Sequence, residues 1–84
     1  MVHFTLYSRG YCHLCDEMLS ALQAYAADFR FTVEVVDVDA DPALVVLYDE
    51  LVPVLVYSHN GAPPAQLCHY FLDREGLVDL LAKA

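Results

Sequence analysis

Tyr7-Ser8-Arg9-Gly10-Tyr11-Cys12-His13-Leu14-Cys15 is the stretch on which the fold of this 84-residue chain turns. Before it, Val2 to Tyr7 is rich in aromatic and β-branched residues and reads as a strand. Ser8, Arg9 and Gly10 interrupt that run. After it, apolar residues fall at Leu14, Met18, Leu22, Tyr25 and Phe29, steps of three and four that share one helical face. The spacing predicts a helix over 12–29, so the two cysteines stand where a strand-to-helix loop becomes the first turn of a helix.

That position has chemical consequences. Residues three apart on a helix share a face, and their Cα separation of roughly 5–5.5 Å lies within the range a disulfide accepts. The bond can open and close without remodelling the backbone. Cys12 lies at the helix N-terminus, where unpaired N–H groups and the macrodipole favour a thiolate, the nucleophilic form of the thiol. Cys15, one turn further in, is the more protected of the two. Cys12 is therefore expected to attack an incoming disulfide and Cys15 to resolve the mixed disulfide. His13 and Arg9 add positive charge near Cys12, and Asp16 and Glu17 oppose it.

Two other readings of the pair stay open at this point: half of a zinc site, or two buried structural thiols. A structural zinc wants four protein ligands. The candidates Cys68, His3, His13, His59 and His69 offer no second pair at metal-ligand spacing, so no metal is expected. The Ser8–Tyr11 loop does not have the composition of a core segment, which weighs against purely structural thiols.

Outward from this point, strand and helix patterns alternate. Phe31 to Val38 reads as a second, mostly buried strand. Asp41-Pro42 starts a short helix reaching about Glu50, with Leu44, Leu47 and Tyr48 expected on its buried side. Pro53 opens a third strand over Val54 to Tyr57, since proline is tolerated at a strand's first residue. A turn through His59, Asn60, Gly61 and Pro63-Pro64 leads to a fourth strand over 66–71. Asp73 caps a last helix, with Leu72 and Leu77 as its hydrophobic staple. Gly76 inside that helix costs about 1 kcal/mol relative to alanine. The order β-α-β-α-β-β-α implies a four-stranded mixed sheet flanked by three helices, an α/β fold with parallel crossovers where helices intervene and a hairpin at the end. Residues 1–84 form a single domain on this reading.

Charge and composition restrict the partners. Twelve acidic side chains against four basic ones give a formal net charge of −8, which argues against nucleic acid and against anionic membrane surfaces. No apolar run approaches the roughly 18–20 residues needed to span a bilayer. No basic region followed by an apolar one marks a signal peptide. A soluble, cytoplasmic protein is expected. An odd count of three cysteines does not suit a fully paired secreted framework, and in a reducing compartment a close pair points to redox chemistry. Cys68, on the fourth strand, reads as a small buried hydrophobe.

The Tyr7–Cys15 stretch together with Leu51-Val52-Pro53-Val54-Leu55 resembles glutaredoxin-like members of the thioredoxin superfamily. The Cys-His-Leu-Cys dithiol and compact length are most similar to small bacterial glutaredoxin-like proteins. The resemblance implies a thioredoxin fold with a cis Val52–Pro53 bond and Val52 backbone facing the substrate chain. Arg9 stands where glutaredoxins often carry a lysine for a glutathione carboxylate, which implies a substrate-binding role for it, the alternative being a solvated loop charge; His13, next to the nucleophile, is a further candidate substrate-binding residue. Tyr11, in the exposed loop, either shields the disulfide and meets substrate or simply packs. Three departures bear on glutathione: His13 replaces the usual proline, Leu51 replaces the threonine before Val52-Pro53, and no glycine pair lies between Cys68 and Glu75.

The expected activity is thiol–disulfide exchange through Cys12 and Cys15, as in electron transport, with no bound cofactor and glutathione as a conceivable co-substrate. The partner is a thiol or disulfide, protein or small molecule, and the chain is expected to be a monomer. The alternatives are a metal or iron–sulfur cluster carrier and a redox-inert interaction module.

Overall fold

In the computed structural model, which describes residues 1–84, the N-terminal run becomes an inner strand of a four-stranded sheet. The elements are β1 (Val2–Ser8), α1 (His13–Ala24), β2 (Phe31–Asp37), α2 (Pro42–Tyr48), β3 (Val54–Ser58), β4 (Ala65–His69) and α3 (Arg74–Lys83). Single 3₁₀ turns occupy Tyr25–Ala27 and Val38–Ala40. The strand order is β2-β1-β3-β4, with β2 parallel to β1 and both β1–β3 and β3–β4 antiparallel. This is the α/β mixed sheet with three helices that the element order implies.

Alternation along β1 divides the sheet faces. Val2, Phe4 and Leu6 point to one side and are buried with Leu55 of β3, Met18 and Leu22 of α1, and Leu77 and Leu81 of α3. Phe31 meets Phe4 edge-to-face, centroids 5.4 Å apart. Residues 3, 5 and 7 face the other side, where Tyr7 stacks on Tyr48 of α2 at 4.6 Å. Two helices thus close the apolar face and one short helix covers part of the other.

Five expectations need correction. The α-helix begun at His13 ends at Ala24, because the N–H groups of Asp28 and Phe29 both turn back to the Tyr25 carbonyl at 3.0 Å and tighten the last turn. Tyr25 and Phe29 still pack against the core. β2 is not mostly buried: it is an edge strand, and Val35 is half exposed. The connection from β2 to β3 is not a parallel crossover. β2 ends with Asp37 opposite Ser8, and β3 begins with Val54 opposite Tyr7, so the chain re-enters the sheet at the end it left. Seven residues of α2 span only about 10 Å, against roughly 23 Å for a seven-residue strand, so α2 turns the chain without carrying it back along the sheet. For the same reason α2 lies over one end of the sheet, and Leu47 is 60% exposed and Val46 84%. Finally, β4 stops at His69, short of Phe71. The Tyr70 N–H makes one last in-register bond to the Pro53 carbonyl at 2.9 Å, and Tyr70 then adopts φ +62°, which turns the chain out of the strand.

Candidate active site

The dithiol is built at the junction between β1 and α1. Cys12 is the N-cap of α1, with extended backbone (φ −105°, ψ 101°), and its Sγ accepts a hydrogen bond from the Cys15 N–H at 3.1 Å. The sulfur atom thus does what an aspartate or serine oxygen does at other helix starts: it receives one of the first turn's unpaired N–H groups. The two sulfurs are bonded in a disulfide, with the Cα atoms 5.2 Å apart. Cys12 is half-buried, while Cys15 is 3% exposed among the core residues of α1. One sulfur is within reach of a partner and the other only within reach of the first.

Around Cys12 the loop stands open. Tyr11 is fully exposed and carries φ +60°, the left-handed region that side chains other than glycine seldom adopt. It packs against nothing, which removes the packing alternative for this residue. His13 is the first residue of α1 and is exposed. Val52 and Pro53, whose peptide bond is cis, lie at the same end of the sheet, just before the Val54–Tyr7 pair. The N–H and C=O of Val52 hydrogen-bond to nothing within the chain.

Arg9 faces elsewhere. Its Nε and Nη2 donate to the two carboxylate oxygens of Asp39 at 3.2 and 2.6 Å, and its Nη1 donates to the Asp49 side chain. The bidentate geometry that would suit a ligand's carboxylate is taken by Asp39. The hydrogen bonds that the guanidinium donates to Asp39, then to Asp49, push its pKa further up, and the Arg9 guanidinium holds the Asp39 carboxyl below its usual range. Arg9 is therefore a clamp joining the loop before Cys12 to the turn after β2 and the end of α2.

Four residues that the sequence does not mark as lining a binding surface form one beside α1. Leu14, Glu17, Tyr70 and Phe71 line a groove of about 210 Å³ between α1 and the segment entering α3, with Met18 at its base and Arg74 at its far end. Phe71 is 70% exposed. Tyr70 binds the groove to the proline loop twice, through its N–H to Pro53 and its hydroxyl to the Glu50 carbonyl. The signal was present: Tyr70-Phe71-Leu72 is too continuously apolar for an exposed edge strand to continue through it. Cys68 is half-buried against the core, and burial pushes its thiol pKa up, so it stays protonated at neutral pH. No group of three or more His, Cys, Asp or Glu side chains is placed to hold a metal ion, and no helix is long and apolar enough to cross a membrane.

A four-stranded β2-β1-β3-β4 sheet, a cysteine pair at the start of α1 and a cis-proline at the same end of the sheet define a thioredoxin-fold protein with a Cys-x-x-Cys site. Chloroplastic thioredoxin z, 22% identical, has the same fold over 99% of this chain and 77% of its own, with a TM-score of 0.72. The chain belongs to the Glutaredoxin-like domain (DUF836) family, whose profile matches residues 3–82. Protein Ne2328 of Nitrosomonas europaea is 35% identical, with 95% of this chain and 91% of that one covered and a TM-score of 0.84. Protein XcR50 of X. campestris is 34% identical over 96% of this chain and 97% of its own, with a TM-score of 0.62. No curated protein matches the chain.

Proposed function

We propose that this protein is a thiol–disulfide oxidoreductase in which Cys12 is the nucleophile and Cys15 the resolving thiol. One observation carries the reading: the sulfur of a half-buried Cys12 caps α1 and is bonded to a buried Cys15. In the reduced protein the Cys15 N–H and the helix N-terminus favour the Cys12 thiolate. That thiolate attacks a substrate disulfide, forming a mixed disulfide and releasing one substrate thiolate. The Cys15 thiolate then attacks the Cys12 sulfur, closes the internal disulfide and expels the second substrate thiolate. Two electrons pass from the protein to the substrate, and the reverse sequence oxidises a dithiol. The unpaired backbone of Val52 offers an extended substrate strand a hydrogen-bonding partner beside the sulfurs, and the chemistry needs no bound cofactor.

The test is a redox titration of the purified protein in glutathione buffers, counting free thiols by mass spectrometry. Cys12 and Cys15 are expected to interconvert as one two-electron couple between roughly −270 and −180 mV, while Cys68 remains a constant third thiol. Cys15→Ser should accumulate a mixed disulfide at Cys12, and Cys12→Ser should form none. A pair that stays reduced across the whole range would sink the proposal.

A further inference from the structure

We propose that the dithiol site selects its partner by charge, favouring disulfides that carry positive charge next to the reacting sulfurs over anionic ones such as glutathione disulfide. This rests on the oxidoreductase reading above and names the substrate class of the same site. Only four side chains in the molecule are permanently cationic. Arg30 lies at the far end of the sheet, beside Met1 and Ala84. Lys83, at the far end of α3, is paired with Asp79 at 3.1 Å. Arg9 is the one cation in the loop before Cys12, and it is held by Asp39 and Asp49, so that trio carries a net negative charge. Arg74 remains, on the α3 side of the groove, and its guanidinium is turned away from Cys12 to the Tyr25 hydroxyl, 3.4 Å away at the C-terminal end of α1; Glu17 lines the α1 side.

Carboxylates without salt-bridge partners, by contrast, are carried on the segments that flank the cysteine pair. Asp16 directly follows Cys15, Glu17 faces the groove beside Leu14, and Glu50 precedes the Leu51-Val52-Pro53 loop. Neither Asp16, Glu17 nor Glu50 makes a salt bridge. A disulfide bearing carboxylates therefore approaches an end of the molecule where the exposed His13 is the sole basic side chain beside Cys12 without an ion-pair partner and carries no permanent charge, whereas ammonium groups are attracted to the carboxylates. Electrostatic steering of this kind changes association rates by factors of about 10 to 1,000 and is screened by salt. The covalent step is the same for every substrate: the Cys12 thiolate forms a mixed disulfide and displaces one substrate thiolate, and Cys15 then displaces the second. The substrate disulfide is the oxidant.

The experiment follows single-turnover oxidation of pre-reduced protein, freed of reductant, by cystamine, hydroxyethyl disulfide, glutathione disulfide and a short peptide disulfide with lysines flanking its cysteine. Each rate is divided by that of dithiothreitol, a neutral dithiol, with the same disulfide, which removes differences in leaving group. Cystamine and the lysine peptide are expected to exceed glutathione disulfide by about tenfold or more at 10 mM ionic strength, converging toward about twofold at 0.5 M. Glu17→Gln should narrow the gap, and Asp39→Asn with Asp49→Asn, which releases Arg9, should raise the rate with glutathione disulfide. Preference for the lysine peptide over cystamine would identify the cationic partner as polypeptide, and the reverse as a small amine. Equal normalised rates, a rate order unaffected by salt, or glutathione disulfide as the fastest oxidant would overturn charge selection alone. Failure of all four disulfides to oxidise the dithiol would overturn the oxidoreductase reading together with it.

Discussion

Arg9 shows how a single side chain changes meaning once its neighbours are in place. Its partners lie 30 and 40 residues away in sequence, so no local pattern announces them. What a linear reading takes for a ligand-binding cation is the tie between the Cys12 loop and the turn after β2. The tie has a pH signature. Asp39 is held below its ordinary value of 3.8 by Arg9, so its contribution is complete above the unfolded-state value and is lost as pH falls through the depressed folded-state value. The stability difference between the native protein and Asp39→Asn should be constant above about pH 5 and close in more acidic solution. Urea unfolding across that range measures it, and a difference still intact at pH 2 would contradict the assignment. The cysteines behaved differently. Their three-residue spacing and position before an amphipathic run are local facts, and local facts survive into the structure.

The same distinction runs through the secondary structure. β1, the start of α1 and the cap of α3 were legible because a few adjacent residues determine each of them. The direction of β3 and the exposure of α2 were not, because both depend on where the chain re-enters the sheet after Asp37. Gly76 is a subtler case. Composition marks it as a helix weakener, yet a Cβ at that position would lie 2.4 Å from Asp73 Oδ2 and 2.9 Å from its Cγ. The carboxylate that caps α3, accepting from the Gly76 N–H at 3.0 Å, occupies the space. In isolation Gly76→Ala favours a helix by about 1 kcal/mol, and loss of the cap costs about 1 kcal/mol, so the substitution should leave stability nearly unchanged. In an Asp73→Ala background the same substitution should stabilise by about 1 kcal/mol. Denaturant midpoints of the four proteins decide it: an equal gain in both backgrounds would show that cap and glycine are independent.

At the scale of the whole molecule, stability rests on one apolar face. Phe4 is fully buried at its centre, between strands on either side and beneath α1 and α3, with Phe31 against its ring. Phe4→Ala should cost about 3–5 kcal/mol, a large part of the roughly 5–15 kcal/mol that holds a domain together. The melting temperature should fall by about 12–40 °C, at about 4–8 °C per kcal/mol for a chain of this length. A fall below about 5 °C in thermal unfolding followed by circular dichroism would mean that the core is organised around other residues. The opposite face contributes less, because only α2 covers it.

Both outer strands of the sheet, β2 and β4, leave a row of backbone groups uncovered. β4 has five residues, follows Pro63-Pro64 and falls out of register with β3 between Leu55 and Val56. β2 is longer and regular, but carries Glu34 and Asp37. A second copy approaching edge to edge meets either a ladder out of step or acidic side chains, on a molecule whose formal charge is −8. Charge and broken register of this kind are what make a sheet edge a poor template for a neighbouring chain, the step on which fibre growth depends.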